Sequence, residues 1–204
     1  MTTETADLEY LRRVSARGAE APLLGGRYTV WWGALATLAY FVHYLAASGS
    51  MDDRDGAVYP LVWIAFGIVG GVGQALLGRG RVERAGESSA GNRASRIVWF
   101  AAVAAILAFI LGAIFRVMNS GDYAAFDASV PITFAAYGIA LAVSGWLAPS
   151  PAARAGAVAA FATVTVAATL AGSPELWLAA SVGALVSVFL PGLFVLRAEP
   201  SPDA

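Results

Sequence analysis

The sequence predicts an all-α integral membrane protein with six transmembrane helices. Hydrophobic residues make up 58% of the 204 residues and charged residues only 13%. With a mean hydropathy of +0.67, this composition is too apolar for the surface of a soluble domain. The chain also contains six separate apolar runs, each close to the roughly 20 residues that a spanning helix needs.

The six predicted spans form one transmembrane domain over residues 28–196. Each is long enough to cross about 30 Å of hydrocarbon at about 1.5 Å per residue. Residues 1–27 are expected to form a tail that contains a short amphipathic helix, and residues 197–204 a second tail. The spans are predicted at 28–47, 58–78, 96–117, 129–148, 152–171 and 174–196.

A shared pattern predicts that the spans are arranged as three helical hairpins. Pro60, Pro131 and Pro174 lie at or near the starts of the second, fourth and sixth spans, each followed by an aromatic residue three positions later and an alanine five positions later. Each of the other three spans has an arginine at or near its start: Arg27, Arg96 and Arg154. Both internal duplication and independent convergence on favourable helix starts explain such a pattern.

The arginines predict that both chain termini are cytoplasmic. Six spans place both termini on one side, and all arginines except Arg54 and Arg116 fall on that side. Positive residues accumulate on the cytoplasmic side of membrane proteins. Because the chain is rich in alanine, glycine and arginine and has no lysine, we expect a bacterial protein of the inner (cytoplasmic) membrane.

The composition argues against several function classes. The chain has no cysteine and no lysine, which excludes thiolate nucleophiles, iron–sulfur ligation and a Schiff base. The apolar runs carry essentially no ionised residue, which argues against pumps and ion-coupled transporters. His43, the only histidine, and Ser144 differ in predicted depth by about 15 Å, too far for a nucleophile and its base. We therefore expect no enzyme, no catalytic residue and no cofactor.

One polar site is predicted at the outer face. His43 lies about 7 Å below the outer edge of the first span, and a histidine beside carboxylates can bind a metal or sense pH. A structural histidine, hydrogen-bonded to a tyrosine or a carbonyl, is the alternative. The residues predicted to line this site are His43, Tyr40, Arg116, Asp52, Asp53 and Asp55.

The amino-terminal tail predicts a partner-binding helix. Acidic residues come first and arginines later, which complements the helix dipole, and Leu8 and Leu11 form a narrow apolar stripe next to Arg12 and Arg13. Such a helix can lie on the anionic inner leaflet or dock on a cytoplasmic protein. The balance of 13 basic against 14 acidic residues predicts no binding to nucleic acid.

Small residues at four-residue spacing occur on several spans, including Gly67 and Gly71. Such faces let helices pack closely within one bundle; a homodimer through Gly67 and Gly71 is the alternative. From these features we expect a regulatory or accessory component that contacts the bilayer and a protein partner. The second hypothesis is a facilitator for a small neutral or apolar solute, with a path lined by Thr133, Tyr137 and Ser144.

Overall fold

The computed structural model describes Glu9 and residues 21–53, 56–79 and 86–200. Within this part of the chain the regular structure is entirely helical, and six helical segments are long and apolar enough to cross a membrane. The protein is therefore a multi-pass, all-α membrane protein. The predicted tail helix, with Leu8, Leu11, Arg12 and Arg13, lies outside the described residues, as does Asp55.

The first five spans contain the helices α1 to α5, and the sixth contains two α-helices joined by a π-helical turn. The helices are α1 (Gly26–Ala47), α2 (Val58–Gly78), α3 (Ala90–Ser120), α4 (Ser129–Leu147), α5 (Pro151–Thr169), α6 (Glu175–Ala184) and α7 (Leu190–Ala198). The π-helical turn covers Leu185–Phe189, and a 3₁₀ turn at Tyr123–Phe126 precedes α4.

Helix α3 is longer than the apolar run at 96–117 that predicted it. At its start, the Ser89 hydroxyl accepts a hydrogen bond from the Asn92 amide (3.3 Å), which satisfies one of the donors left open at a helix start. At its end, Gly121 adopts a φ of 68°, a left-handed conformation that glycine tolerates. These local signals extend the helix beyond its hydrophobic part at both ends.

The sixth span is irregular near Pro191. A proline has no N–H to donate to the carbonyl four residues earlier, which here belongs to Ser187. The π-helical turn Leu185–Phe189 ends two residues before Pro191, and such turns are a usual response to a break in the ladder of helical hydrogen bonds. The Ser187 hydroxyl donates to the Gly183 carbonyl at 2.6 Å, so the side chain is satisfied inside the same span.

The helices pack in an order that differs from their order in the chain. Helix α4 packs against both α3 and α5, α5 packs against the sixth span, and the sixth span packs against α1. Helix α2 packs extensively only on α1, and α3 only on α4. The prediction of three hairpins is not confirmed, because α4 contacts α5 more extensively than it contacts α3, its predicted hairpin partner.

Helices α2 and α3 therefore lie at the periphery of the bundle. Gly70 is the only buried residue of α2, and large apolar side chains such as Ile68 on α2 and Phe100 on α3 are mostly exposed. An exposed apolar surface of this kind suits contact with hydrocarbon rather than water.

Helix α1 and the sixth span approach each other most closely at glycines. A Cβ added to Gly33 would lie 2.6 Å from the backbone nitrogen of Phe189, and one added to Gly192 would lie 2.9 Å from that of Val30. A Cβ on Gly26 would overlap the backbone of Leu196. Contact between helix backbones is typical of membrane bundles, where dispersion forces rather than hydrophobic burial hold the helices together.

Candidate functional site

His43 lies inside a cluster of aromatic rings near one end of the bundle. Its ring stacks on Trp177 of α6, with centroids 3.6 Å apart and planes 22° apart, and its centroid lies 4.7 Å from that of Tyr59. Trp63 of α2 donates its indole N–H to the His43 Nδ1 atom at 3.0 Å. The histidine thus joins α1, α2 and the sixth span.

This hydrogen bond restricts the chemistry of His43. A neutral imidazole that accepts at Nδ1 carries its hydrogen on Nε2, so neither nitrogen then offers a lone pair to a metal ion. An imidazolium has two N–H donors, and it cannot accept from Trp63. Uptake of a proton by His43 therefore requires that the bond to Trp63 is broken.

Tyr40, a second predicted site residue, belongs to this cluster. Its ring lies 5.1 Å from that of Trp63 and 6.1 Å from that of Trp177, and only 5% of its surface is exposed. Because α1 places Tyr40 and His43 three residues apart, both side chains point to the same side of the helix.

Arg116 and Asp53, two of the charged residues predicted for the site, have other partners. Arg116 is exposed, and its Nη2 and Nε both contact the Oδ2 atom of Asp122, at 2.7 and 2.9 Å. One carboxylate oxygen of Asp53 accepts from the Val58 amide at 3.1 Å and so holds the start of α2. In the described part of the chain, no group of three or more histidine, cysteine, aspartate or glutamate side chains could hold a metal ion.

We expect His43→Ala to lower the stability of the bundle by at least about 2 kcal/mol, because it removes a stacked ring and leaves the Trp63 N–H without its partner. Trp63→Phe keeps the ring and should cost only about 1 kcal/mol, the value of one hydrogen bond. The measurement is thermal unfolding of the purified protein in mild detergent.

Tyr123→Ala is the matched control for the His43 variants, since Tyr123 is an aromatic residue with 71% of its surface exposed. It should change the stability by less than about 0.5 kcal/mol. An unfolding curve for His43→Ala that coincides with that of Tyr123→Ala would contradict a structural role for the histidine.

The opposite end of the bundle carries a second polar cluster, which sequence reasoning missed. The Asn92 side chain accepts from the Leu24 amide at 2.9 Å and donates to the carbonyl oxygens of Pro22 at 2.9 Å and Gly86 at 3.0 Å. Only 3% of Asn92 is exposed. This one side chain therefore joins the segment before α1, the loop before α3 and α3 itself.

Glu199 completes this cluster from the other end of the chain. Its carboxylate accepts from the amides of Gly25 and Gly26 at 2.8 and 2.7 Å, so it caps the start of α1 with a negative charge, which the helix dipole favours. We call this end of the bundle the arginine-rich end, because it carries Arg27, Arg79, Arg93, Arg96, Arg154 and Arg197.

The residues proposed to line a solute path lie in the packed interior. Thr133 and Ser144 are 5% and 1% exposed, and the Ser144 hydroxyl is paired with that of Ser95 on α3 at 2.8 Å. The Tyr137 ring packs between those of Phe134 and Trp99, at 5.9 and 5.8 Å. The Ser95–Ser144 pair thus joins α3 to α4.

Gly67 and Gly71 lie on the open side of α2. A Cβ added to either glycine would meet no atom within 4 Å, whereas one added to Gly70 would overlap the ring of Trp32. The two glycines of the predicted dimer face are therefore not used for packing within the chain.

The chain matches no family model, no characterised protein and no solved structure.

Proposed function

We propose that this chain is a non-enzymatic accessory or regulatory protein of the bacterial inner membrane, which acts by contacting a protein partner. In this proposal both termini and the arginine-rich end lie in the cytoplasm, in accordance with the positive-inside rule. The amino-terminal segment, with Leu8, Leu11, Arg12 and Arg13, provides the docking surface.

The observation that carries the proposal is the cluster of Asn92 and Glu199. Their hydrogen bonds hold residues 22–26 against α3 and against the end of the sixth span. They therefore fix residues 22–26, the exit point to which residues 1–20 are attached. A segment with a fixed exit point loses less orientational freedom when it docks, which favours binding.

The packing of the interior favours contact over transport. Thr133, Tyr137 and Ser144 would have to face an internal path in a facilitator, but Thr133 is buried and the other two contact side chains of α3 and α4. A facilitator would need a conformation in which these contacts are exchanged for contacts with the solute. Solute flux through vesicles that contain the purified protein, compared with empty vesicles, tests this second hypothesis.

We expect Leu11→Asp to release the partner without unfolding the bundle, because the apolar stripe of the tail then carries a charge. The measurement is purification in mild detergent, with copurifying proteins quantified by mass spectrometry. The full chain should bring down a stoichiometric partner, and a chain without residues 1–20 should bring down none.

Ala6→Asp is the matched control, because it adds the same charge to the tail at a position off the predicted stripe of Leu8 and Leu11. It should retain the partner. Equal recovery of the partner with Leu11→Asp and with the full chain would overturn docking through the tail, and recovery of no partner by any variant would overturn the accessory role itself.

The second proposed contact is a homodimer through the open face of α2. We expect Gly67→Leu and Gly71→Leu to convert a dimer to a monomer, because a large side chain prevents close approach of two helices. Neither side chain would clash within the chain, since both positions face open space.

Light scattering of the detergent-solubilised protein measures the mass, and Gly112→Leu on the open face of α3 is the control. A variant that keeps the wild-type dimer mass would exclude this face, and a monomeric wild type would exclude the dimer.

A further inference from the structure

An apolar groove of about 580 Å³ runs between α5 and the sixth span. Its α5 wall consists of small residues, Ala152, Ala155, Gly156 and Ala159, and its other wall includes Leu190 and Phe194. At the surface end the groove is bounded by Pro22, Leu23, Pro149, Ser150 and Pro151. The groove therefore begins at the arginine-rich end and extends into the depth of the bundle.

The irregular sixth span shapes this groove. Val186 and Pro191 line it. Val186 belongs to the π-helical turn Leu185–Phe189, and Pro191 lies two residues after the end of that turn. Gly156 faces the Ser187 carbonyl and the Pro191 ring, so α5 and the sixth span touch there. From Val186 to Ala198 the groove follows twelve residues of helix, or about 18 Å, which is more than half of the thickness of one hydrocarbon core.

The surroundings of the groove indicate its occupant. Both walls belong to spans, and Leu190 and Phe194 are 38% and 58% exposed, so the groove opens towards hydrocarbon. An acyl chain is the molecule that fills such a groove in a bilayer.

The charge at the surface end indicates the kind of lipid. Arg197 follows Leu190 by seven residues and Phe194 by three, so all three lie on one side of the helix. It lies in the last turn of α7 and is exposed. The neighbouring carboxylate, Glu199, accepts hydrogen bonds from the amides of Gly25 and Gly26 and is thus directed towards α1. Arg197 does not itself line the groove, but it directly precedes Ala198, which does. Its guanidinium is therefore within reach of a headgroup at the surface end and favours a negatively charged one.

We propose that this groove binds one anionic phospholipid, with an acyl chain between α5 and the sixth span and its phosphate at Arg197. The site is separate from the docking surface proposed for the tail. It adds a lipid-specific contact to a protein that otherwise meets the bilayer through unspecialised apolar faces.

The test is native mass spectrometry of the full chain in mild detergent, titrated with phosphatidylglycerol or with phosphatidylcholine of the same acyl chains. We expect one phosphatidylglycerol per chain, bound about fivefold more tightly than phosphatidylcholine, the factor that corresponds to one arginine near the headgroup. Arg197→Gln should reduce phosphatidylglycerol binding to the level of phosphatidylcholine, whereas Arg93→Gln, an exposed arginine of the same end, should leave the preference unchanged.

Ala155→Trp tests the groove itself. Ala155 is an exposed lining residue, so a tryptophan there fills the groove and should abolish the one-to-one complex with either lipid. Val158→Trp on the same helix is the control, because Val158 is 70% exposed and does not line the groove. Phe194→Ala is the second variant, for use if Ala155→Trp does not fold. It removes part of one wall of the groove instead of filling it, and it should weaken the binding of both lipids.

Three results would overturn the proposal. One is a lipid complex that survives both Ala155→Trp and Phe194→Ala, since the lipid then binds elsewhere. Another is equal affinity for the two lipids in the wild type. The third is binding that appears only after residues 1–20 are removed, since the groove would then belong to the chain's own amino-terminal segment.

Discussion

Gly33→Val is expected to destabilise the bundle by about 3 kcal/mol or more, because it places a branched side chain where two backbones are in contact. The nearest atoms to the added Cβ are the nitrogen and Cα of Phe189, at 2.6 and 2.7 Å. Backbone atoms cannot rotate away as the end of a flexible side chain can. Helix α1 and the sixth span must therefore separate, and the contacts at Gly26 and Gly192 would be lost with them.

A pair of alanine substitutions separates the effect of packing on stability from the effect of helix propensity. Alanine favours a helix over glycine by about 1 kcal/mol, so propensity alone predicts that Gly33→Ala and Gly112→Ala both stabilise the protein. The structure predicts opposite signs, because Gly112 faces open space whereas Gly33 faces Phe189. The measurement is the unfolding midpoint in detergent, and a gain of stability for Gly33→Ala would show that the two helices are not in backbone contact.

The contrast between these glycines shows which features of helix packing can be predicted from the sequence and which cannot. Four-residue spacing of small residues correctly indicates where helices are able to approach each other. It does not indicate which face is used, because that depends on the partner helix. On α2, Gly70 receives the ring of Trp32, while Gly67 and Gly71 face outwards.

The spans themselves were largely predictable, because a long apolar run has few other stable structures in a bilayer. The predicted range 58–78 coincides with α2, and the predictions for the first, fourth, fifth and sixth spans end within about two residues of the helices, within the usual uncertainty of helix ends. The exception is α3, because its first turns are polar and the sequence predicts a loop there. They are helical because Ser89 caps the helix and because Asn92 is satisfied by residues 22 and 24, a contact across 68 or more residues that no local pattern reveals.

The candidate site was predictable only in part, for the same reason. Helical spacing placed His43 and Tyr40 on one face, as the structure has them. Their neighbour Trp177 comes from the far end of the chain, and its position depends on how the sixth span packs against α1. The charged residues grouped with His43 in the prediction were the less informative signal. Asp53 contacts the start of α2, and Arg116, near the end of α3, contacts Asp122 in the loop that follows.

Asn92→Asp is expected to cost about 3 kcal/mol, although the two side chains have nearly the same shape. The aspartate keeps the oxygen that accepts from the Leu24 amide, but it loses the amide hydrogens that bind the carbonyl oxygens of Pro22 and Gly86. In place of these two hydrogen bonds it brings a negative charge towards two carbonyl oxygens, at a position that is 3% exposed. Loss of a buried donor costs about 1–3 kcal/mol for each group left without a partner, and the buried charge adds to this cost.

The loss of stability in Asn92→Asp should be local, whereas the loss in Gly33→Val should affect the whole bundle. In hydrogen–deuterium exchange followed by mass spectrometry, Asn92→Asp should increase exchange in residues 21–26 while the centre of α4 and α5 keeps its protection. Asn119→Asp makes the same chemical change at an exposed position of the same helix and should leave both regions as in the wild type.

Since the Asn92 cluster fixes the exit point of residues 1–20, Asn92→Asp should also weaken capture of the partner while the tail sequence is intact. Undiminished capture by an Asn92→Asp protein whose residues 21–26 exchange freely would show that docking does not depend on this anchor.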